Sequence, residues 1–390
     1  MRKILVLGAG YVMTAVRLGR RVRGQAEVVL VSASDRFVER IRLHQVAAEQ
    51  RMPVREIAPL LARAGVRFVR GTIGAIDPAR RQVEVDGVPL AYDRLVLALG
   101  SHVDTTRVPV AANVFTLDQA SSEALGRALP DVAARAGRLV VVGGGLTGIE
   151  AASELAERYP SLKVTLVTAR ALGEELSNKG RAYLARALAR LGVVAIEHTQ
   201  MRAVGPGHLI TDAVGLPFDV CVWAGGFAAS PLSARAGLSV NERGQALVDP
   251  LLRSVSHPEV YVVGDAACPV EDAGAPIAMS CKTAMPMGAH AADNLTAWVH
   301  GWNERSFRFG DTGMCISLGR RDGIVQLRRK DGSNRETIYT GRLGAWIKEQ
   351  ICRYTWLSLR LEARGWLHYR WVHRQLPPAL GSSGQKRLAA

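Results

Sequence analysis

Two glycine-rich turns, each preceded by a short apolar strand and followed by a stretch suited to a helix, dominate the chemistry that this chain could perform. The first turn is Gly8-Ala-Gly10 and the second is Gly143-Gly-Gly-Leu-Thr-Gly148. A strand that ends in glycines lets the backbone approach a pyrophosphate, whose charge then meets the free amides at a helix N-terminus. One such turn is a weak signal, but two of them predict two dinucleotides bound side by side, so that a nicotinamide can be held against a flavin.

Two further strands end in small residues and support a flavin site. The strand that begins at Tyr92 ends at Ala98-Leu-Gly100, and the strand after Pro258 ends at Gly264-Asp265. In open α/β sheets ligands lie beyond the carboxyl ends of the strands, where an aspartate can accept hydrogen bonds from ribityl hydroxyls. A helix that begins after residue 280 would direct its positive N-terminus toward the flavin ring, where negative charge gathers on reduction.

Composition and cysteine usage narrow the class of protein. The 390 residues are enough for two or three domains, and no apolar run approaches the roughly 18 residues that span a bilayer. The five cysteines show no CxxC pair and no metal-like spacing, so no metal site is expected, and none precedes Cys221, so no dithiol pair can lie in the N-terminal flavin-binding segment. The first strand begins at Lys3 and leaves no room for a cleavable signal, so we expect a cytoplasmic protein.

The ordered set of four glycine turns resembles the pyridine nucleotide–disulfide oxidoreductases, which are flavoproteins with two dinucleotide domains. Within that superfamily the chain looks most like the type II NADH dehydrogenases and their soluble relatives. The resemblance covers about residues 1–300 and implies an α/β fold with two Rossmann-like three-layer domains. The expected boundaries are an FAD-binding domain at 1–110 and 240–304, an NAD(P)H-binding domain at 111–239, and a C-terminal α+β domain with a basic amphipathic helix at 305–390.

The resemblance also implies a role for each turn. The residues expected to contact FAD are Gly8, Gly10, Ala98, Gly100, Gly264 and Asp265, the last at the ribityl chain. The residues expected to hold the nicotinamide nucleotide are Gly143, Gly145 and Gly148. Glu150 would point toward the flavin–nicotinamide junction, although a glutamate in the first turn of a helix is also favoured by the helix dipole alone.

Three positions depart from the family pattern. Met13 stands where the first fingerprint has glycine or alanine, and a side chain there would push the helix outward or crowd the pyrophosphate. Ser32 replaces the acid that usually binds the FAD ribose, and a hydroxyl makes a weaker hydrogen bond. Lys282 replaces a glutamine that lines flavin and quinone in the family, with Pro286 and Met287 following. That lysine could stabilise a reduced anion, bind an acidic substrate, or simply reach solvent.

Two further segments supply candidate site residues. Thr168-Ala-Arg170 follows the strand where an NADH-preferring site would offer a carboxylate, so Arg170 could pair with a 2′-phosphate and NADPH competes with NADH. The segment 35–45 runs toward the flavin ring in the family, which makes Arg42, His44 and Gln45 candidates to face substrate. A histidine there could exchange a proton near neutral pH, or serve a structural role.

The C-terminal region carries most of the chain's formal charge of +15, because 17 Lys and Arg against six Asp and Glu lie between Arg305 and Ala390. Residues 323–328 and 336–340 alternate like strands, and 343–364 shows helical spacing. Its apolar stripe includes Trp346, Ile351, Tyr354 and Leu357. We expect this stripe to pack on the flavin domain or across a homodimer interface in preference to inserting in a membrane. Any affinity for the inner face of a membrane should be weak and salt-sensitive, and no nucleic acid is expected as a partner.

These features favour an FAD-dependent NAD(P)H oxidoreductase, in which hydride passes from NAD(P)H to flavin N5 and electrons pass on to a quinone or another small organic acceptor. The changes at Lys282, Pro286 and Met287 keep a second enzyme open, namely a specialised biosynthetic flavoenzyme that acts on an organic substrate. Met13 and the basic tail keep a third class open, a protein that binds a dinucleotide without turnover or has a regulatory role.

Overall fold

The computed structural model describes residues 1–106, 114–270, 277–329 and 331–373. Its first quarter contains alternating strands and helices, with a short 3₁₀ turn at Arg40–Arg42. The elements are β1 (Arg2–Leu7), α1 (Met13–Arg21), β2 (Ala26–Ser32), α2 (Leu43–Ala47), α3 (Ala58–Ala64), β3 (Arg67–Arg70), β4 (Ile73–Asp77), β5 (Gln82–Val85), β6 (Val88–Ala91), β7 (Arg94–Leu97) and β8 (Ser101–Val103).

The middle of the chain repeats this alternation. Its elements are β9 (Phe115–Thr116), α4 (Gln119–Ala134), β10 (Arg138–Val142), α5 (Leu146–Arg158), β11 (Lys163–Val167), α6 (Asn178–Arg190), β12 (Val194–Ile196), β13 (Met201–Gly205), β14 (His208–Thr211), β15 (Gly215–Pro217), β16 (Val220–Trp223) and β17 (Phe227–Ala229).

The remainder returns to the first sheet and then forms a separate antiparallel sheet. Its elements are α7 (Leu232–Arg235), β18 (Ala246–Val248), β19 (Val260–Val262), a 3₁₀ turn at Gly264–Ala266, β20 (Ala267–Pro269), α8 (Cys281–His300), β21 (Gly313–Ser317), β22 (Gly323–Arg328), β23 (Asn334–Thr340) and α9 (Gly341–Arg364).

Two five-stranded sheets form the centres of the fold. The first has the order β19-β7-β1-β2-β3 and the second has the order β12-β11-β10-β16-β9; the pairings within both are parallel. Residues 4–7 of β1 and 139–142 of β10 are apolar and buried, as expected of central strands covered on both faces. Each of these strands lies where the strand order reverses, which is where open α/β sheets bind ligands. The predicted α/β class with two Rossmann-like domains is confirmed.

The C-terminal region joins the two sheets. Strands β21, β22 and β23 form an antiparallel sheet, and Met314, Ile316 and Ile324 from it complete the core beneath the second parallel sheet. Helix α9 begins immediately after β23, and its buried Leu359 and Ala363 belong to the core of the first sheet. Because this region contacts both dinucleotide domains, it brings residues of α9 to the junction between them.

The opposite face of α9 remains exposed, with relative exposures of 60% at Trp346, 42% at Tyr354 and 45% at Leu357. This face therefore does not pack on the flavin domain within the chain, contrary to one of the two arrangements expected from its stripe. The helix instead packs through its other face, where Gly344, Cys352, Thr355 and Ser358 are buried. Among the described residues, no helix is long and apolar enough to cross a membrane.

Candidate functional site

The first glycine turn has the geometry of a pyrophosphate cradle. Gly8 has φ +99°, and a Cβ added there would lie 2.4 Å from the carbonyl oxygen of Ala98. A Cβ on Gly10 would instead enter open space, with no atom within 4 Å. Gly8 is therefore required by the close approach of β1 and β7, whereas Gly10 leaves room in front of the helix. A dinucleotide phosphate needs such room to reach backbone amides.

The strand ends that should line the rest of the FAD site lie at the same edge of the first sheet. Gly100 and Gly264 both have positive φ angles, +67° and +68°. The Asp265 carboxylate accepts a hydrogen bond of 2.6 Å from Ser101 Oγ, and the Gln245 amide donates to the Asp265 backbone oxygen at 3.0 Å. The open cradle at Gly10 and an aspartate fixed at the end of β19 fit FAD, and these residues together with Ala98 are the ones that would hold it.

Met13 is accommodated without projecting into this cradle. Its side chain is fully buried in the core of the first sheet. Helix α1 begins at Met13, five residues after Gly8, whereas α5 begins at Leu146, three residues after Gly143. Helix α8 supplies the space, because a Cβ on Gly288 would lie 2.9 Å from Thr14 Oγ1 and 3.6 Å from Met13 Cβ. The extra side chain is thus absorbed by a glycine on the neighbouring helix.

The second glycine turn has the complete fingerprint geometry. Gly143 has φ +115°, and a Cβ there would lie 2.4 Å from the Ala224 oxygen. A Cβ on Gly148 would lie 1.8 Å from the Gly143 oxygen, whereas a Cβ on Gly145 would meet no atom within 4 Å. Gly143 and Gly148 therefore allow α5 to start close to β10, and Gly145 leaves the free space that a second dinucleotide requires.

The hydroxyl residues that follow the second strand of each sheet occupy equivalent positions. Ser32 Oγ accepts a hydrogen bond of 3.3 Å from the Ser34 amide, and Thr168 Oγ1 accepts one of 3.3 Å from the Arg170 amide. The Arg170 side chain is highly exposed and forms an ion pair of 3.0 Å with Glu174. Both hydroxyls thus shape the turn where a nucleotide ribose would bind, and the guanidinium lies at the surface.

Glu150 lies in a buried cluster of charged groups. Its Oε1 accepts hydrogen bonds from Lys348 Nζ at 2.8 Å and from the Ser317 amide at 3.0 Å, and its Oε2 lies 3.9 Å from His44 Nδ1. Burial alone would raise the pKa of Glu150, but the Lys348 ammonium lowers it by more, so the net pKa is below the ordinary value. For Lys348, burial alone would lower the pKa, but the Glu150 carboxylate raises it by more, so the net pKa is above the ordinary value. The pair is therefore ionised at neutral pH.

His44 lies next to this ion pair as a neutral group. Its ring is buried, and burial lowers its pKa to about 4 despite the attraction of Glu150. Nε2 has no hydrogen-bond partner among the described residues. A neutral imidazole with a free ring nitrogen can accept or pass on a proton but contributes no fixed charge.

Arg42 and Gln45 form a second polar group beside His44. The Arg42 guanidinium binds both carboxylate oxygens of Glu349, at 2.7 and 3.0 Å, and donates to Glu39 at 2.8 Å and to Gln45 at 3.2 Å. Because Glu349 belongs to α9, this bidentate pair attaches α9 to the segment that carries His44. The described geometry therefore gives Arg42 a positioning contact, and its contact with substrate stays a prediction.

Lys282 lies at the start of α8, near the carboxyl edge of the first sheet. Its ammonium binds both oxygens of Asp311 at 2.8 and 2.9 Å and the Gly313 oxygen at 3.2 Å. Burial raises the pKa of Asp311, but Lys282 and the Gly313 amide lower it more, so the carboxylate is ionised. Lys282 thus shares the Asp311 carboxylate with Arg328, and its role toward a flavin or an acidic substrate stays a prediction.

A family model of pyridine nucleotide-disulphide oxidoreductases matches residues 2–292. The chain belongs to this family. It is 30% identical over 380 residues to an NADH dehydrogenase-like protein of Mycobacterium tuberculosis, with 88% of this chain and 94% of that protein covered. A type II NADH:quinone oxidoreductase of Staphylococcus epidermidis is 26% identical over 388 residues, with coverages of 90% and 94%. A solved structure, the sulfide:quinone oxidoreductase of Aquifex aeolicus, shares the fold with a TM-score of 0.80 at 16% identity and coverages of 94% and 93%.

Membership of the pyridine nucleotide-disulphide oxidoreductase family confirms the predicted enzyme class. The protein is an FAD-dependent NAD(P)H dehydrogenase, and its cofactors are FAD and a nicotinamide nucleotide. The resemblance read from the four glycine turns is therefore correct.

Sequence reasoning missed the partners that come from the C-terminal region. Lys348, Glu349 and Ser317 lie 167 to 307 residues from the groups they contact, so no local spacing connects them. One signal was present in the sequence, since Lys348 lies four residues from both Gly344 and Cys352. It therefore shares a helix face with small and apolar residues, where a lysine needs an acidic partner.

Proposed function

We propose that this dehydrogenase oxidises NADH or NADPH and delivers the electrons to a quinone, with the acceptor bound next to the Glu150–Lys348 pair. The observation that carries this proposal is a buried, ionised carboxylate–ammonium pair at the N-terminal end of α5, beside the second glycine turn. Perturbed and buried charges of this kind cluster at functional sites. The S. epidermidis relative is named a type II NADH:quinone oxidoreductase, which supports quinone as the acceptor class.

Different side chains would hold the two dinucleotides and contact the acceptor. Bound FAD would supply the two-electron redox chemistry between nucleotide and acceptor. The room at Gly10 and Gly145 lets the two dinucleotides reach helix N-termini, and Asp265 offers acceptors to a ribityl chain. Lys348 Nζ uses two of its three N–H donors on Glu150 and the Cys315 oxygen, the latter at 3.3 Å. Its third N–H, which also interacts with the Cys315 thiol, would turn to the oxygen of an acceptor, and neutral His44 can hold a proton at Nε2.

The nucleotide preference follows from the turn after β11. This turn offers a hydroxyl at Thr168 and a guanidinium at Arg170 in place of a carboxylate, so these two positions do not repel a 2′-phosphate. An exposed ion pair such as Arg170–Glu174 is worth only about 0–1 kcal/mol, so binding of a phosphate can replace it. We propose that NADPH reduces the enzyme at least as well as NADH.

A second function is favoured by one specific observation, the ion pair of Lys282 with Asp311 at the position where the family pattern has glutamine. With Pro286 and Met287 following in α8, this edge of the site offers fewer amide groups to a quinone and would suit another organic substrate. A specialised biosynthetic flavoenzyme is therefore the alternative. A protein that binds dinucleotides without turnover is the remaining alternative.

Steady-state oxidation of NADH and NADPH with a soluble short-chain quinone tests these alternatives. The proposal predicts turnover with quinone, and it predicts that Lys348→Met lowers kcat for quinone reduction while leaving nucleotide binding unchanged. Lys282→Met is the comparison variant, since it removes an ammonium that is paired with Asp311 and not with Glu150. Turnover of the nucleotide with other acceptors but not with any quinone would favour the specialised enzyme, and a flavin that no nucleotide reduces would favour the non-turnover protein.

We also propose that the exposed face of α9 meets an anionic membrane surface. Trp346, Tyr354 and Leu357 lie on this face, and Arg342, Arg353 and Arg360 are exposed on the same helix. Basic residues near such a surface contribute about 1 kcal/mol each, so the attachment should be reversible and salt-sensitive. Sedimentation with anionic vesicles at low and high salt tests this, with neutral vesicles as the control. Lack of vesicle binding together with a dimer in sedimentation velocity would assign the face to a second copy.

A further inference from the structure

Glu154 is a second buried glutamate on helix α5, one turn after Glu150. It is 1% exposed, and its Oε1 accepts a hydrogen bond from the Gln50 side chain. Its Oε2 is buried and has no hydrogen-bond partner among the described residues. An unpaired carboxylate oxygen in the interior is costly unless the group carries a proton.

The groups around Glu154 define its charge state. Arg320, in the turn after β21, places Nε 3.9 Å from Glu154 Oε1, which is too far for a hydrogen bond, and Gln50 comes from the segment after α2. Glu150 and Glu157 are the acidic neighbours on α5 itself. Burial raises the pKa of Glu154 to about 7, the Arg320 guanidinium and the Gln50 hydrogen bond oppose this, and the neighbouring glutamates add to it. Protonated and ionised forms therefore coexist near neutral pH.

The position of Glu154 connects solvent with the candidate active site. Arg320 is partly exposed, and its Nη2 lies 3.7 Å from Glu349 Oε2. The turn that carries Arg320 therefore forms an edge of the polar cluster. In the other direction, residues four apart on a helix have neighbouring side chains, which places Glu154 next to Glu150. Beyond Glu150 lie Lys348 and the unpartnered Nε2 of His44. The order from the surface inward is thus Arg320, Glu154, Glu150 and then the acceptor region.

The proposed reaction requires such a route. Reduction of a quinone to a hydroquinone takes two electrons and two protons, whereas a hydride from the nucleotide carries two electrons and one proton. One proton per turnover must therefore come from water. Glu150 is ionised and engaged with Lys348 and Ser317, so it needs a neighbouring group that can take up a proton at neutral pH.

We propose that Glu154 is the proton-carrying residue of this enzyme, which takes up a proton on the Arg320 side of α5 and delivers it to the Glu150–Lys348 pair one turn away. The delivery of the proton to a quinone rests on the proposed function. The existence of a titrating carboxyl group at Glu154 does not. Glu154 acts through Glu150 and does not itself contact the acceptor.

The existence of the group is tested by infrared spectroscopy of the holoenzyme over a pH series. The proposal predicts a protonated-carboxyl C=O band that disappears with a midpoint near pH 7. This band should be absent from Glu154→Gln and retained in Glu157→Gln. Glu157 is the control on the same helix, and in the wild type its carboxylate accepts a hydrogen bond of 2.5 Å from the Arg320 backbone amide. A wild-type protein with no such band, or a band that survives in Glu154→Gln, would overturn the proposal.

The role of the group is tested by re-oxidation of the NADH-reduced enzyme with two acceptors. Ferricyanide takes electrons without protons, and a soluble benzoquinone takes both. Glu154→Gln should slow re-oxidation by the quinone at pH 7 by about tenfold or more, and leave re-oxidation by ferricyanide unchanged, because proton transfer by a positioned group contributes at least this much. The wild-type quinone rate should fall as pH rises through 7, and this dependence should vanish in the variant.

The remaining outcomes are also decisive. Equal slowing with both acceptors would mean that the substitution perturbs the structure, and the proton role would then be rejected unless Glu154→Asp restores the quinone rate with a shifted pH midpoint. Unchanged rates with both acceptors would reject it outright. If wild-type enzyme reacts with ferricyanide but not with quinone, the proposed function fails, and the infrared titration alone then decides whether Glu154 carries the proton.

Discussion

Replacing Lys348 by methionine removes one charge from the buried pair while keeping most of the length of the side chain. Among the residues that the structure describes, Glu150 would then retain the Ser317 amide and the neutral His44 as neighbours, with no cation in hydrogen-bond contact. Removing one partner of a buried ion pair costs about 3–5 kcal/mol, because the remaining charge is left uncompensated in the interior. We therefore expect Lys348→Met to lower the free energy of unfolding by about 3–5 kcal/mol at pH 8.

The pH dependence gives this prediction a sign. In the wild type the pKa of Glu150 is lowered, so its contribution to stability is present above its unfolded pKa and is lost as the pH falls. In Lys348→Met burial acts without the ammonium and raises the pKa of Glu150 above its unfolded value. The variant is then most stable below that unfolded value and loses stability as the pH rises. The deficit of the variant should consequently be larger at pH 8 than at pH 5.

Urea unfolding followed by circular dichroism, with FAD in excess, measures this deficit at both pH values. The double variant Glu150→Gln, Lys348→Met should recover much of the loss, because neither buried charge remains. Lys282→Met serves as the control, since Asp311 keeps Arg328 as a partner and is partly exposed, so the loss should be smaller. A loss below about 1 kcal/mol that is equal at pH 5 and pH 8 would refute the assignment of Glu150–Lys348 as a buried ionised pair.

Four further substitutions test the nucleotide sites. Gly145→Ala should weaken nicotinamide nucleotide binding, measured by titration calorimetry, with little effect on folding because the new Cβ enters open space, whereas Gly148→Ala should impair folding because its Cβ would lie 1.8 Å from a backbone oxygen. Asp265→Ala should lower FAD occupancy by removing hydrogen bonds worth about 1.5–3 kcal/mol, and unchanged occupancy would remove Asp265 from the site. Arg170→Ala should weaken reduction by NADPH more than by NADH in stopped-flow experiments; an NADH preference that the substitution leaves unaltered would contradict the proposed role of Arg170.

The elements predictable from the sequence are those set by local constraints. A glycine that must adopt positive φ or admit a close backbone approach leaves a direct trace in the sequence, as at Gly8 and Gly143, and the apolar strands before them show their burial by composition. Helix α9 was also predictable within two residues at its N-terminus, because its apolar residues recur at helical spacing. These features depend on neighbours close in the chain.

The features that escaped prediction depend on residues far apart in the chain. Met13 departs from the fingerprint, and its effect cannot be judged without Gly288, which lies 275 residues later and provides the space. The exposure of Trp346 likewise follows from which face of α9 the two dinucleotide domains cover, and helical spacing alone does not specify that face. The charge state of Glu150 required Lys348, and the spacing of the glycine turns gave no indication of it.

A single turnover in the absence of oxygen tests directly whether this dehydrogenase passes electrons from the nucleotide to a quinone. The purified enzyme is mixed with one equivalent of NADPH or NADH, and then with one equivalent of a soluble quinone, while flavin absorbance and hydroquinone are recorded. We expect bleaching of the flavin by the nucleotide, complete recovery on addition of quinone, and one hydroquinone formed per nucleotide oxidised. A flavin that the nucleotide bleaches but quinone does not restore would contradict the assignment of a quinone site at Glu150 and Lys348.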